Sequence, residues 1–237
     1  MKKNAIRIII AFLMIASLMT VLLVSFSSSA ARNTTTTKID KTDEVVKLME
    51  NATSFILVRH KQLGNSHYAY TDSISDAGSW GYNEYSYYGG SKLSLVTLDD
   101  IGDGKVQVTE KTLITSNGII RDPDVSEDGM RFVFSWKKDE SDDFHIYEYD
   151  LINEEYTQLT FGSGAVDVEP VYTAKGTIVF NSTRDIQTVD CWYTPVMNLY
   201  VMDADGSNIT RVGYDQVHTT YATSTTDGRI RSEEHTS

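Results

Sequence analysis

The chain has 237 residues, with 33 Asp and Glu against 21 Lys and Arg, a formal net charge of −12. So acidic a surface repels phosphate backbones and excludes nucleic acid as a natural partner. Cys191 is the single cysteine, so no intrachain disulfide forms, and neither a C-x-x-C-H haem motif nor a Cys/His zinc spacing occurs.

Residues 1–31 combine Lys2, Lys3 and Arg7, an apolar run over 8–26 and a Ser/Ala-rich end. That pattern predicts a secretory signal cut after Ala30 or Ala31, and hence a periplasmic or extracellular protein. Left uncut, residues 8–26 are nearly long enough to anchor the chain in a membrane, the one membrane contact expected. No Cys follows the run, so lipid anchoring is not expected. Residues 32–52 read as a linker and a short helix. The Thr-rich stretch 32–41 is the flexible part, and acids followed by Val45, Val46 and Met49 favour a helix over 42–51.

A β-branched, apolar stretch predicts a strand over 53–60. Residues 61–92 follow with seven Tyr and Trp rings, including Tyr68, Trp80 and Tyr88. The insertion is too long for a hairpin turn and too aromatic for a linker. It reads equally as an aromatic binding surface for sugar or peptide and as a lid burying its own rings. Strands over 93–99 and 106–113 flank a turn at 100–105, and residues 53–120 together look like a degenerate four-strand unit.

Residues 122–162 form a complete unit, with strands expected over 123–126, 131–136, 145–150 and 155–159. Asp128-Gly129 supplies the hairpin turn. An imperfect copy covers 169–213, with strands over 177–181 and 198–203 and a turn at Asp205-Gly206. A fourth start, counting the degenerate unit, appears over 221–230, where Asp227-Gly228 repeats Asp128-Gly129. Self-similarity at roughly 50 residues, all in strand-like pieces, is the signature of propeller blades. The expected fold class is all-β: a partial β-propeller over 53–230, of about three four-stranded blades plus the start of a fourth. Such an arc does not close a ring and leaves strand edges open. It is therefore expected to be poorly stable alone, with further blades in the whole protein. Residues 231–237, RSEEHTS, match the in-frame translation of a common sequencing adapter. They are expected to break off the strand begun at Gly228-Arg229-Ile230, and His235 is set aside with them.

Particular residues carry a family likeness. Pro170-Val171-Tyr172, Gly176-x-Ile178-Val179-Phe180 and Leu199-Tyr200-x-Met202-Asp203-x-Asp205-Gly206 resemble the WD-like blade of TolB-type exported propellers. Arg121-Asp122-Pro123-Asp124-Val125-Ser126, the run 143–148, Gln158-Leu159-Thr160-Phe161-Gly162 and Asn181-Ser182-Thr183-Arg184 more closely resemble the hydrazine synthase alpha subunit middle domain. Residues 187–192 and 215–219 fit the same pattern. The resemblance implies a propeller inside a larger exported protein, some relatives of which carry c-type haems elsewhere. It supplies no haem motif within these residues, so no cofactor is expected here. Where relatives often carry a second cysteine, this chain has Asp185, so a paired role for Cys191 is not implied.

Candidate ligand-binding residues are few. Asp122, Asp124 and Glu169 stand at the starts of inner strands, where paired carboxylates can hold a cation or raise one another's pKa; alternatively they set the entry turns. His145 and His218 sit beside inserted loops, as ligands or bases or as structural histidines. Arg184, Asp190, Cys191 and Trp192 border or lie in a long loop of the kind that carries binding on rigid scaffolds, though a buried thiol beside a packing Trp fits equally. Asp203-x-Asp205 departs from the order of calcium loops, and no catalytic or metal set can be assembled. The functional expectation is a non-catalytic exported scaffold that binds a protein or small molecule. The alternatives are the propeller of a larger haem-containing oxidoreductase and, third, a propeller ahead of a serine hydrolase.

Overall fold

A computed structural model describes residues 34–60, 89–188, 195–225 and 227–234. The expected signal, residues 61–88 of the aromatic insertion, and Asp190, Cys191 and Trp192 lie outside the described residues. The chain divides into two compact units.

The first unit holds β1 (Thr34–Asp40), α1 (Asp43–Asn51), β2 (Ser54–Arg59), β3 (Ser91–Gly102) and β4 (Lys105–Ser116). These strands form one sheet in the order β1-β4-β3-β2. The stretch expected as a flexible linker is instead the outer strand, paired antiparallel with β4 from Thr34↔Lys111 to Asp40↔Lys105. Its composition is polar, but threonine is β-branched and suits a pleated edge. Helix α1 starts where Thr42 Oγ1 accepts the Val45 N–H, which satisfies one of the amides a helix start leaves open. Its Val45 packs with Phe55, Val96, Leu98 and Val106, against which Leu48 and Met49 also rest.

The second unit repeats one sheet. The strands β5 (Ile119–Val125), β6 (Arg131–Lys137), β7 (His145–Asp150) and β8 (Glu155–Gln158) pair in chain order. So do β9 (Asp167–Tyr172), β10 (Ile178–Ser182), β11 (Asn198–Met202) and β12 (Thr210–Arg211). A hairpin of β13 (Thr219–Ser224) and β14 (Ile230–Glu234) begins the next sheet. The strand expected to break off at Ile230 continues to Glu234, because pairing with β13 is a backbone interaction and tolerates polar side chains.

Alternation along the strands explains how the sheets stack. Val133 and Ile146 on one face meet Ile178, Phe180, Tyr200 and Met202 of the next sheet, with Leu159 joining them. The opposite face of that second sheet offers Val179 and Leu199 to Ala222 of β13. Period-2 side-chain placement thus gives each inner blade two apolar faces, one for each neighbour. The first strands β5, β9 and β13 lie side by side. The architecture is a partial β-propeller.

Candidate functional site

Each first strand carries the same irregularity. Against β6, β9's partner β10, and β14, the ladders skip between Arg121 and Asp124, Val168 and Val171, and Thr220 and Thr223. Each skip sets two residues against one, the mark of a β-bulge. Within each bulge one residue is left-handed: Asp122 at φ 53°, Glu169 at φ 56° and Tyr221 at φ 52°. The following Pro123 and Pro170 have no N–H to contribute to a ladder, and a bulge is where a strand tolerates that.

The bulges hold two of the predicted carboxylates at the junctions between sheets, Asp122 through Ser135 of its own sheet and Glu169 directly. The Asp122 carboxylate accepts Arg121 Nε–H at 2.7 Å and the Ser135 hydroxyl at 3.2 Å. Ser135 Oγ in turn accepts the Glu169 N–H at 3.0 Å. The Glu169 carboxylate repeats the arrangement, accepting Asn181 Nδ2–H at 2.7 Å and the Tyr221 N–H at 2.8 Å. Arg121 lies between the two carboxylates, its Nη2 3.7 Å from Glu169 Oε1. Burial, and then the neighbouring Asp122 charge, push the Glu169 carboxyl upward against the pull of Arg121. Glu169 is 6% exposed and Asn181 fully buried.

Asp124 is drawn into a second joint, where its Oδ2 accepts the Tyr172 N–H at 2.8 Å. Burial outweighs that bond and raises the Asp124 carboxyl to about 6. Tyr172 donates its hydroxyl to Glu148 at 2.7 Å, and Arg131 lies 3.5 Å from the same carboxylate.

Arg184 and His145, assigned to separate loops by the sequence, converge on Asp167, which is fully buried. Arg184 Nη2 donates to Asp167 Oδ2 at 2.7 Å, and Ser182 Oγ donates to Oδ1 at 2.6 Å. His145 places Nδ1 3.9 Å from Asp167 and Nε2 3.9 Å from Asp142. Burial raises the Asp167 pKa, but His145, Ser182 and Arg184 together overcome it and hold the carboxyl below its ordinary value. His218 belongs to neither group. Its Nδ1 accepts the Met197 N–H at 3.2 Å, a backbone-fixing bond that leaves the ring's proton on Nε2.

Sequence reasoning missed Arg121, Ser135, Asn181, Asp167 and Tyr221. Only Ser135 and Asn181 left a signal, as polar residues that directly follow the matching apolar runs 132–134 and 178–180. Among the described residues no group of three His, Cys, Asp or Glu is arranged to hold a metal.

Three solved structures are similar to this chain. Kuenenia stuttgartiensis hydrazine synthase is 16% identical, with a TM-score of 0.53 over 76% of this chain and 27% of its own. The likeness is one of fold: a β-propeller. A putative TolB from Agrobacterium tumefaciens is 20% identical, with a TM-score of 0.40 over 57% of this chain and 46% of its own. TolB from Acinetobacter baumannii is 13% identical, with a TM-score of 0.37 over 78% of this chain and 64% of its own. This chain therefore spans between 27% and 64% of the length of these structures. No family model and no curated protein matches it.

Proposed function

We propose that residues 53–230 are a non-catalytic propeller scaffold of an exported protein, binding a protein or small-molecule ligand through the loops that join its strands. The observation behind this reading is the use made of the inner-strand carboxylates. Asp124 and Glu169 accept hydrogen bonds that tie one sheet to the next, and Asp122 holds Ser135, whose Oγ accepts the Glu169 N–H of the next sheet. Carboxylates committed in this way contribute to rigidity and are poorly placed to exchange protons with a substrate. Export rests on the sequence of residues 1–31 alone. The fold likeness to hydrazine synthase supports a second reading, in which the propeller is one part of a larger exported haem-containing oxidoreductase.

The test is expression of the full chain in a Gram-negative host. The scaffold reading expects a periplasmic protein whose mature N-terminus follows Ala30 or Ala31, with no haem absorbance and no turnover of ester substrates. Retention in the cytoplasm, or turnover abolished by Asp122→Asn, would overturn it. C-x-x-C-H motifs in the genomic reading frame past Ile230 would favour the oxidoreductase, and a G-x-S-x-G motif a serine hydrolase.

A further inference from the structure

The face of β6–β8 opposite Val133 and Ile146 is aromatic, and at one end three rings meet under a cation. Trp136, Tyr147 and Tyr156 have centroid separations of 5.1, 5.3 and 6.1 Å, with interplanar angles of 59°, 79° and 70°. The Lys138 ammonium lies 5.2 Å from the Trp136 ring, 5.0 Å from Tyr147 and 5.7 Å from Tyr156. Cation–π attraction operates within about 6 Å of a ring centroid, so one charge is shared by three faces. The platform is held from behind. Trp136 Nε1 donates to Ser116 Oγ at 2.8 Å, and Tyr147 is 1% exposed. Tyr156, on the outer strand β8, is 47% exposed, so the cluster reaches solvent at that ring while Trp136 is 6% exposed.

Lys138 is a poor permanent occupant. Its ammonium is compact and strongly hydrated, and covering rings costs it that hydration. Among the described residues no carboxylate stands at ion-pair distance from it. Its backbone is fixed by the N–H bond to Asp142 Oδ2 at 3.1 Å, but the side chain is partly exposed and can swing away without moving the strand.

We propose that Trp136, Tyr147 and Tyr156 form a recognition platform for a trimethylammonium group, with Lys138 as its internal cap. A trimethylammonium ion is broad and weakly hydrated, so it gains more from three rings and gives up less water than a primary ammonium does. Two sources share this chemistry: a free quaternary solute such as choline, and a trimethylated lysine on a polypeptide. The platform is separate from the carboxylate joints and does not depend on the scaffold reading.

The test is calorimetric titration of the full chain with choline and with 3,3-dimethylbutan-1-ol, a neutral molecule of the same shape. Choline is expected to bind, and the neutral analogue about tenfold more weakly or not at all. Lys138→Ala is expected to tighten choline about tenfold, because the internal competitor is gone. Tyr156→Ala is expected to weaken it about tenfold while Tyr156→Phe retains it, with circular dichroism confirming that both are folded. A peptide carrying trimethyl-lysine that binds more tightly than choline assigns the polypeptide source, and equal affinities assign the solute. The proposal is overturned if choline binds neither the natural chain nor Lys138→Ala. Equal binding of the neutral analogue, or no loss on Tyr156→Ala, would overturn it as well.

Discussion

Glu169 Oε2 accepts the Tyr221 N–H at 2.8 Å, joining one blade to the next across 52 residues of chain. The same carboxylate holds Asn181 and faces Arg121, so its removal strands two donors and leaves Arg121 with Asp122 alone as its counter-charge there. Glu169→Ala is expected to lower the unfolding free energy by about 3–5 kcal/mol, the range for breaking one partner out of a buried ion pair. Glu169→Gln keeps an oxygen for Tyr221 and loses only the charge, and is expected to cost about 1–2 kcal/mol. Urea unfolding of the two variants checks the order. Equal losses would mean that the oxygen kept by glutamine for the Tyr221 N–H contributes nothing beyond the lost charge.

Ser135 occupies the corresponding position one blade earlier, donating to Asp122 and accepting from the Glu169 N–H. It is fully buried, so Ser135→Ala leaves a buried amide without its acceptor. The expected loss is about 1–3 kcal/mol. Ser135→Asn, which imports the side chain used at Asn181, is expected to recover part of it. Thermal melts of the pair measure both effects, and a neutral Ser135→Ala would show that the relay carries no energy.

Asp124 sets a pH dependence of definite sign. Its folded carboxyl is raised from the ordinary 3.8 to about 6, so the folded chain holds that proton more tightly than the unfolded one. The stability this contributes is complete below the ordinary value and is lost as pH rises through about 6. Asp124→Asn removes the titration and keeps an oxygen for the Tyr172 N–H. The variant is therefore expected to gain stability relative to the natural chain across that window and hold a constant advantage above it. Urea midpoints collected at intervals through the window test this, and a constant difference at every pH would overturn it.

Local pattern made most of the strands legible. β7 matches its expected bounds of 145–150, and β6 runs one residue past the expected 131–136. The turn at Gly129 falls where Asp128-Gly129 placed it, with φ 69°. The first strands were less legible, because Pro123 and Pro170 argue against a strand unless the bulge is foreseen. β1 was missed because threonine repeats look like linker; its pairing with β4 exists only once the sheet has formed. Hydrogen exchange can check this correction, since alternate amides of β1 are expected to be protected where a linker's are not. At the site, the sequence placed Asp122 and Glu169 at strand starts, whereas they lie inside β5 and β9 at the bulges, and their partners Ser135, Asn181 and Tyr221 are distant in the chain. Acceptors that serve a neighbouring blade are defined by tertiary contact, and no spacing rule exposes them.

The Arg184–Asp167 pair is the most demanding element of the second unit. Asp167 is fully buried, while the Arg184 side chain is 23% exposed, so the carboxylate has no water to fall back on if the cation is lost. Arg184→Met is therefore expected to cost about 3–5 kcal/mol. Adding Asp167→Asn to it should return part of that loss, because a neutral amide needs no counter-ion, and a double-mutant cycle reads the coupling. The pH dependence runs opposite to that of Asp124. Asp167 is held below its ordinary value, so its contribution is present above that value and lost as pH falls through the lower folded one. In Arg184→Met the downward pull is reduced and burial acts less opposed. The acid-side loss of stability should then begin at higher pH than in the natural chain. Acid titrations followed by tryptophan fluorescence and circular dichroism would show the displacement, and coincident acid transitions in the two proteins would overturn it.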